Sequence, residues 1–155
     1  MNYQVEILTD KASIPYPLLL LADETKEAID KYINDCTIML LFITDHESPI
    51  GVVALHSINQ NILEIKNIAI DTHYQKQDYG KVLVDEAKAY AKSHQYIDLI
   101  VGTGDHSHDA FAFYKRMGFE PYGVRANFFK ENYSEPIIEN GYELKNMIMM
   151  KYVIE

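Results

Sequence analysis

Apolar positions change their period several times along this chain, and each change marks a predicted element. Residues 3–8, Tyr3 to Leu8, alternate weakly, as a half-buried first strand would. Pro15 and Pro17 introduce Leu18, Leu19, Leu20 and Leu21, which suits a short helix because proline fits a first helical turn. Ala28, Ile29, Tyr32 and Ile33 recur at helical spacing and predict a second helix over 23–34. Residues 37–44 are continuously apolar, 45–49 carry turn chemistry, and 50–58 read as another strand. Asn59-Gln60-Asn61 then reads as a hairpin turn, so these strands make an antiparallel meander.

The next strand, 62–71, contains an irregularity. Leu63 and Ile65 share one face, whereas Ile68 and Ile70 have the opposite parity. The apolar phase slips between Ile65 and Ile68, as one extra residue in a β-bulge would make it do. A helix over 79–94 follows, with Tyr79, Leu83, Ala87 and Tyr90 in one stripe, then a short buried strand over 97–101. Ala110, Phe113, Tyr114 and Met117 predict a helix over 107–117, which Gly118 ends as a C-cap. Residues 119–125 and 146–153 read as closing strands. The segment between them, with Phe128, Phe129, Pro136 and Asn140-Gly141, reads as a structured loop. Strand, helix and strand over 62–101 imply a parallel pair. The expectation is one α+β domain over residues 1–155, built on a mixed, mostly antiparallel twisted sheet with flanking helices.

Composition supports a globular chain: of 155 residues, 48% are apolar and 24% charged. The net charge of −9 argues against nucleic acid as a partner, because that binding depends on neutralising phosphates. The first third is the most acidic. It suits a cationic partner, or it is a set of solvated helix faces. The nearly balanced middle is where an anionic ligand belongs. Cys36 is the only cysteine, which excludes a disulfide framework and a Cys-based zinc site; it opens an apolar run and reads as core filler. No basic segment precedes a cleavable apolar stretch, and 17–22 is too short an apolar run to span a bilayer. The chain reads as soluble and cytoplasmic, without a membrane.

Chemistry concentrates after the irregular strand. Gln75-Lys76-Gln77-Asp78-Tyr79-Gly80-Lys81 joins it to a helix start, where free N–H groups and the helix dipole favour phosphate. The Walker pattern fails, because Gln75 and Val82 stand where Gly and Ser or Thr are needed; the dinucleotide fingerprint is absent too. An ordinary strand–helix connection is the alternative. His106-Ser107-His108 with Asp105 and Asp109 invites a metal reading, but no distant ligand pair completes it, so no metal is expected. His106 and His108 are instead solvated helix-start residues, or part of an acceptor wall.

At Gln75-x-x-Asp78-x-Gly80 and Phe113-Tyr114-x-x-x-Gly118-Phe119 the sequence resembles the GCN5-related N-acetyltransferases, and the order of elements agrees across nearly the whole chain. The resemblance implies their fold and an acetyl transfer from acetyl-CoA to a primary amine on a small molecule or peptide. It implies that Gln75, Lys76, Gln77, Asp78, Tyr79, Gly80 and Lys81 cradle the pyrophosphate. It implies further that the backbone of Ile68, Ala69 and Ile70 pairs with the pantetheine arm, and that Tyr114 lies near the sulfur. Asp78 departs from the pattern, which has glycine there. Its side chain is expected to turn to solvent, as a residue capping the helix would; the alternative is a weaker hold on the cofactor, since a carboxylate beside a pyrophosphate is adverse.

Val101-Gly102-Thr103-Gly104 and Glu135-Pro136-Ile137-x-Glu139-Asn140-Gly141 resemble a subgroup of small bacterial acetyltransferases, some labelled indoleacetate acetyltransferases. This places Asp105, where Asn is usual, near the cofactor arm. Glu64 is the candidate base, because it precedes the bulge and faces away from Leu63 and Ile65; a solvent-facing strand glutamate is the alternative. Tyr114 is the candidate proton donor to the leaving thiolate, against the alternative of a core tyrosine. In the family the early helices and late loop wall the acceptor, which makes Phe128, Phe129, Tyr133 and Glu139 candidates for contact. A non-catalytic CoA-binding module with a degenerate loop remains the rival reading, and a homodimer is left open.

Overall fold

The structure, a computed structural model, describes residues 2–155. Its elements are β1 (Tyr3–Ile7), α1 (Tyr16–Leu19), α2 (Lys26–Asp30), β2 (Cys36–Ile43), β3 (Gly51–Ser57), β4 (Ile62–Ile70) and α3 (Tyr79–Ser93). They continue with β5 (Asp98–Gly104), α4 (His108–Arg116), β6 (Glu120–Arg125), α5 (Phe128–Asn132), β7 (Ile138–Glu139), β8 (Tyr142–Glu143) and β9 (Met147–Val153). Seven strands form one sheet in the order β1-β2-β3-β4-β5-β9-β6. The β4–β5 pair is parallel and the others are antiparallel, giving the mixed sheet that the periodicity implied.

Each face of the sheet has its own core. Leu63 and Ile65 pack with Leu83, Val84, Ala87 and Ala91 of α3 and with Tyr114 and Phe119. Val52, Ala54 and Ala69 pack on the other face with Leu18, Leu19, Ile29 and Ile33 of the early helices. The buried positions of α3 fall at i, i+1, i+4 and i+8, one stripe of an amphipathic helix.

Two predicted elements differ from the expectation. The helix over 23–34 shortens to Lys26–Asp30, because the Thr25 hydroxyl accepts from the Ala28 N–H (3.1 Å) and sets the start there. A 3-10 turn at Ile33–Asp35 then keeps Ile33 on the buried face. The late segment is not all loop. It holds α5 and the β7–β8 hairpin, whose turn residues Asn140 and Gly141 both have positive φ (54° and 82°), the signature of a tight hairpin turn. No helix among the described residues is long and apolar enough to cross a membrane.

Asp105 secures the end of β5. Its carboxylate accepts from the N–H groups of Lys145 and Asn146, both at 3.1 Å, tying β5 to the approach of β9. Desolvation pushes this carboxyl up, but the hydrogen bonds from Asn146 and Lys145 outweigh it and hold the group below its ordinary value. A depressed carboxyl stabilises the fold above its unfolded pKa, and the gain is lost as pH falls through the folded value. Asp105→Ala should therefore lower stability at pH 7 by about 1 kcal/mol, read as a lower urea midpoint. The gap from wild type should shrink well below pH 4; a gap of equal size there would contradict the assignment.

Candidate functional site

The site follows from one extra residue. Along β3 and β4 the register runs Ala54 opposite Asn67 and Leu55 opposite Ile65, so Lys66 has no partner and bulges. The slip keeps Ile68 and Ile70 on the face of Leu63 and Ile65, as the apolar phase change required. On its other side β4 pairs with β5 only from Ile62–Asp98 to Ile65–Val101. Beyond that point β4 stays with β3 and β5 stays with β9, so the two parallel strands splay apart. The split opens into a cavity of about 600 Å³, lined by Glu64–Ile68 of β4, Val101–Gly104 of β5, the turn after α1 (Leu21–Glu24), and residues from α2, α4 and α5.

One wall is polar. Glu64 is 3% exposed and points away from Leu63 and Ile65, as expected, but it is buried in the cavity wall rather than solvated. Arg125 Nη1 donates to Glu64 Oε2 at 3.2 Å, and Lys66 Nζ stands 4.0 Å from Oε1. His56 lies opposite Glu64 in the register and lines the same wall. Next along β4, Asn67 Nδ2 donates to the Leu19 carbonyl (3.0 Å) and to the Tyr32 hydroxyl (3.1 Å). Tyr32 donates to Asp23 Oδ2 (2.8 Å), and Tyr133 donates to Asp23 Oδ1 (2.5 Å) from the far side of the cavity. Burial and the hydrogen bonds to Asp23 push both phenols well above the ordinary tyrosine value.

The opposite wall carries Tyr114 of α4, 4% exposed, between the rings of Phe113 and Phe119. Burial raises its phenol pKa, so the hydroxyl keeps its proton at neutral pH. It is at once a core residue and a cavity residue, which joins the two readings of the sequence. Thr103, which shares the parity of Leu99 and Val101, adds a buried hydroxyl with no hydrogen-bond partner.

The loop after β4 approaches α3 through two left-handed residues, Lys76 (φ 63°) and Asp78 (φ 68°). Gln75 Nε2 donates to the Ile70 carbonyl (2.9 Å), folding the loop back on β4. The first helical hydrogen bond runs from the Val82 N–H to the Asp78 carbonyl (3.2 Å). The N–H groups of Tyr79, Gly80 and Lys81 precede it and point out of the helix start. Asp78 is exposed, as expected, but it makes no side-chain cap: in left-handed backbone its carboxylate does not reach the first turn. A Cβ at Gly80 would meet Phe113 Cζ at 3.6 Å, an ordinary contact, so the fold itself does not demand glycine there.

Of the expected residues, Glu64, Ile68 and Tyr114 line the cavity, as do Phe128, Phe129, Tyr133 and Glu139. Ala69 and Ile70 lie beyond it on β4, and Gln75–Lys81 form the separate loop. Asp105 turns to the Lys145–Asn146 backbone instead of the cavity, because two N–H donors there satisfy its carboxylate. His106 stacks on Tyr142 (4.4 Å between centroids), and neither it nor His108 lines the cavity. Among the described residues no three His, Cys, Asp or Glu side chains are grouped to hold a metal ion. Cys36 is half-buried, and burial raises its thiol to about 12, too high for a nucleophile at neutral pH. Sequence reasoning missed Asn67, Tyr32, Asp23, His56, Thr103 and Arg125. Asn67 carried a signal, because it sits in the phase slip, as did Thr103, which lies within Val101-Gly102-Thr103-Gly104.

The model of the Acetyltransferase (GNAT) family matches residues 5–119. The uncharacterized N-acetyltransferase YvbK of Bacillus subtilis (strain 168) is 33% identical over 135 residues, 87% of this chain and 86% of that protein. Among solved structures, a GNAT family acetyltransferase from Elizabethkingia anophelis with acetyl-CoA bound has a TM-score of 0.93 and 38% identity, covering 98% of both chains. The IAA acetyltransferase of Bacillus cereus ATCC 14579 has a TM-score of 0.90 and 33% identity, covering 98% of this chain and 99% of that one. A Bacillus subtilis acetyltransferase in complex with CoA follows at a TM-score of 0.89 and 30% identity, covering 99% and 100%. With the split sheet, the bulged β4 and the helix-start loop in place, these similarities establish that the chain belongs to the GNAT family of acetyltransferases.

Proposed function

We propose that the protein transfers the acetyl group of acetyl-CoA to a primary amine carried by a cationic small molecule or peptide. The observation that carries this reading is the split between β4 and β5. It leaves Lys66–Ile70 without a β5 partner beside a cavity that also holds Glu64 and Tyr114. An amide-bearing arm fits such an interrupted sheet as an added strand, and the pantetheine of acetyl-CoA is one. The unpartnered Thr103 hydroxyl on the β5 lip fits a polar arm there. The free N–H groups of the α3 start, with Lys76 and Lys81 nearby, fit its pyrophosphate.

In this reading the amine nitrogen attacks the thioester carbon and the carbon–sulfur bond breaks. An N–H of β4 near Ile70 polarises the thioester carbonyl. Glu64 takes the amine proton through Oε1, directly or through water, since Arg125 already occupies Oε2. Tyr114 gives its proton to the departing thiolate. Among the lining side chains Asp23, Glu24, Asp35, Glu64 and Glu139 outnumber Lys31 and Lys66, which favours a cationic acceptor.

An amine panel assayed by thiol release from acetyl-CoA tests the reading. Turnover of at least one primary amine is expected; CoA binding with no turnover across the panel would favour the non-catalytic module. With an active amine, Glu64→Gln and Tyr114→Phe should each lower kcat about 100-fold or more while CoA affinity holds. Unchanged turnover in either variant removes that residue from the mechanism.

Asp78→Gly should bind CoA about three- to tenfold more tightly, because it removes a carboxylate beside the pyrophosphate site. The gain should fade at high salt. Equal or weaker binding by calorimetry would refute the electrostatic argument.

A further inference from the structure

Two buried side-chain oxygens among the described residues lack a hydrogen-bond partner, Asn67 Oδ1 and Thr103 Oγ1. Thr103 belongs to the face of α3 and α4. Asn67 belongs to the opposite face, with Glu64, and is 5% exposed in the cavity wall. Chemistry fixes the orientation of its amide. The Leu19 carbonyl can only accept, so the Asn67 atom 3.0 Å from it is the nitrogen. The unsatisfied atom is therefore the carbonyl oxygen, a hydrogen-bond acceptor without a donor.

Placement adds a second argument. In a regular strand, residues three apart point to opposite faces. The bulge at Lys66 cancels that, so Glu64 lies opposite His56 and Asn67 opposite Ala54, two successive same-face positions of β3. Such positions are roughly 7 Å apart, close enough for one amino group to meet both side chains. The amide is also held from behind. Asp23 orders the Tyr32 hydroxyl, and that hydroxyl accepts from Asn67 Nδ2.

We propose that Asn67 Oδ1 accepts an N–H hydrogen bond from the reacting amine of the acceptor, and that Tyr32 and Asp23 position it. This rests on the acetyl-transfer reading above. Glu64 removes one proton of the ammonium and so frees the nitrogen lone pair. The bond to Asn67 holds the N–H that the amide product keeps and turns that lone pair toward the thioester. The third proton, shed as the C–N bond forms and the C–S bond breaks, restores the Tyr114 hydroxyl. An acceptor must then bring more than one N–H, which selects primary amines over fully substituted cations of the same charge.

The test compares phenethylamine with phenethyltrimethylammonium on the CoA-saturated protein by calorimetry. The ring suits the Phe128, Phe129 and Tyr133 walls, and both probes carry the same charge, but only the first donates N–H. Wild type should prefer phenethylamine by about tenfold or more. Asn67→Ala should cut that preference by about fivefold or more with CoA affinity unchanged, and Tyr32→Phe, which keeps the bond to Leu19, should cut it by less. A preference unchanged in Asn67→Ala overturns the proposal, as does a wild type that binds CoA but shows no preference or no phenethylamine binding. Acetyl-CoA turnover with another amine would in those cases leave the transferase reading standing. A wild type that neither binds CoA nor consumes acetyl-CoA with any amine overturns both. If Asn67→Ala does not fold, Tyr32→Phe decides, and an unchanged preference there overturns the proposal.

Discussion

Everything at the site depends on an unequal count of residues. β4 uses one more residue than β3 to cover the same length, and the surplus is Lys66. A sheet cannot absorb that residue without local loss of pairing, since backbone N–H and C=O groups must meet in register. Here the loss falls where β4 and β5 would otherwise continue side by side. The main chain gives up ladder hydrogen bonds that are ordinarily close to obligatory in a buried sheet. What it gains is a cleft inside the sheet rather than on its edge, with exposed main-chain groups on one lip and side chains of both sheet faces within reach.

The same surplus residue decides which chemistry meets in the cleft. Without it Glu64 and Asn67 would project from opposite faces. With it they share a wall, and the apolar residues after the bulge return to the α3 core. Tyr114 reaches the cleft from the other side, held by Phe113 and Phe119, and burial keeps its hydroxyl protonated. Amide and carboxylate thus come from β4 and the phenol from α4, and all three are fixed by packing rather than by a mobile loop.

The bulge and the loop before α3 were legible in the sequence because their signals are local. The parity change from Ile65 to Ile68 located the bulge, and Gln75 to Lys81 located the loop before α3. The polar cavity wall was largely hidden. Asp23, Tyr32 and Asn67 meet one another, and Arg125 meets Glu64, only after folding, and no spacing along the chain announces these pairings. The five residues of α5 are too few to show a period, and β7 and β8 have two each, so only Asn140-Gly141 hinted at the hairpin. The helix over 23–34 was overextended because apolar spacing alone does not register the Thr25 cap. Asp78 resisted prediction for a related reason: a capping residue type says nothing of the left-handed backbone that keeps it from capping.

That division has a consequence for how the molecule comes together. β4, α3 and β5 form one contiguous strand–helix–strand unit, able to assemble early from neighbouring sequence. The cavity wall is closed by the hydrogen bond from Tyr133 to Asp23, which joins residues 110 positions apart, with Lys31 reaching Asn132 beside it. Ties between such distant segments form late and are the first to open when the fold breathes. The half built on β4, α3 and β5 can therefore stand organised while the wall that carries Asp23 and Tyr133 is still unlatched.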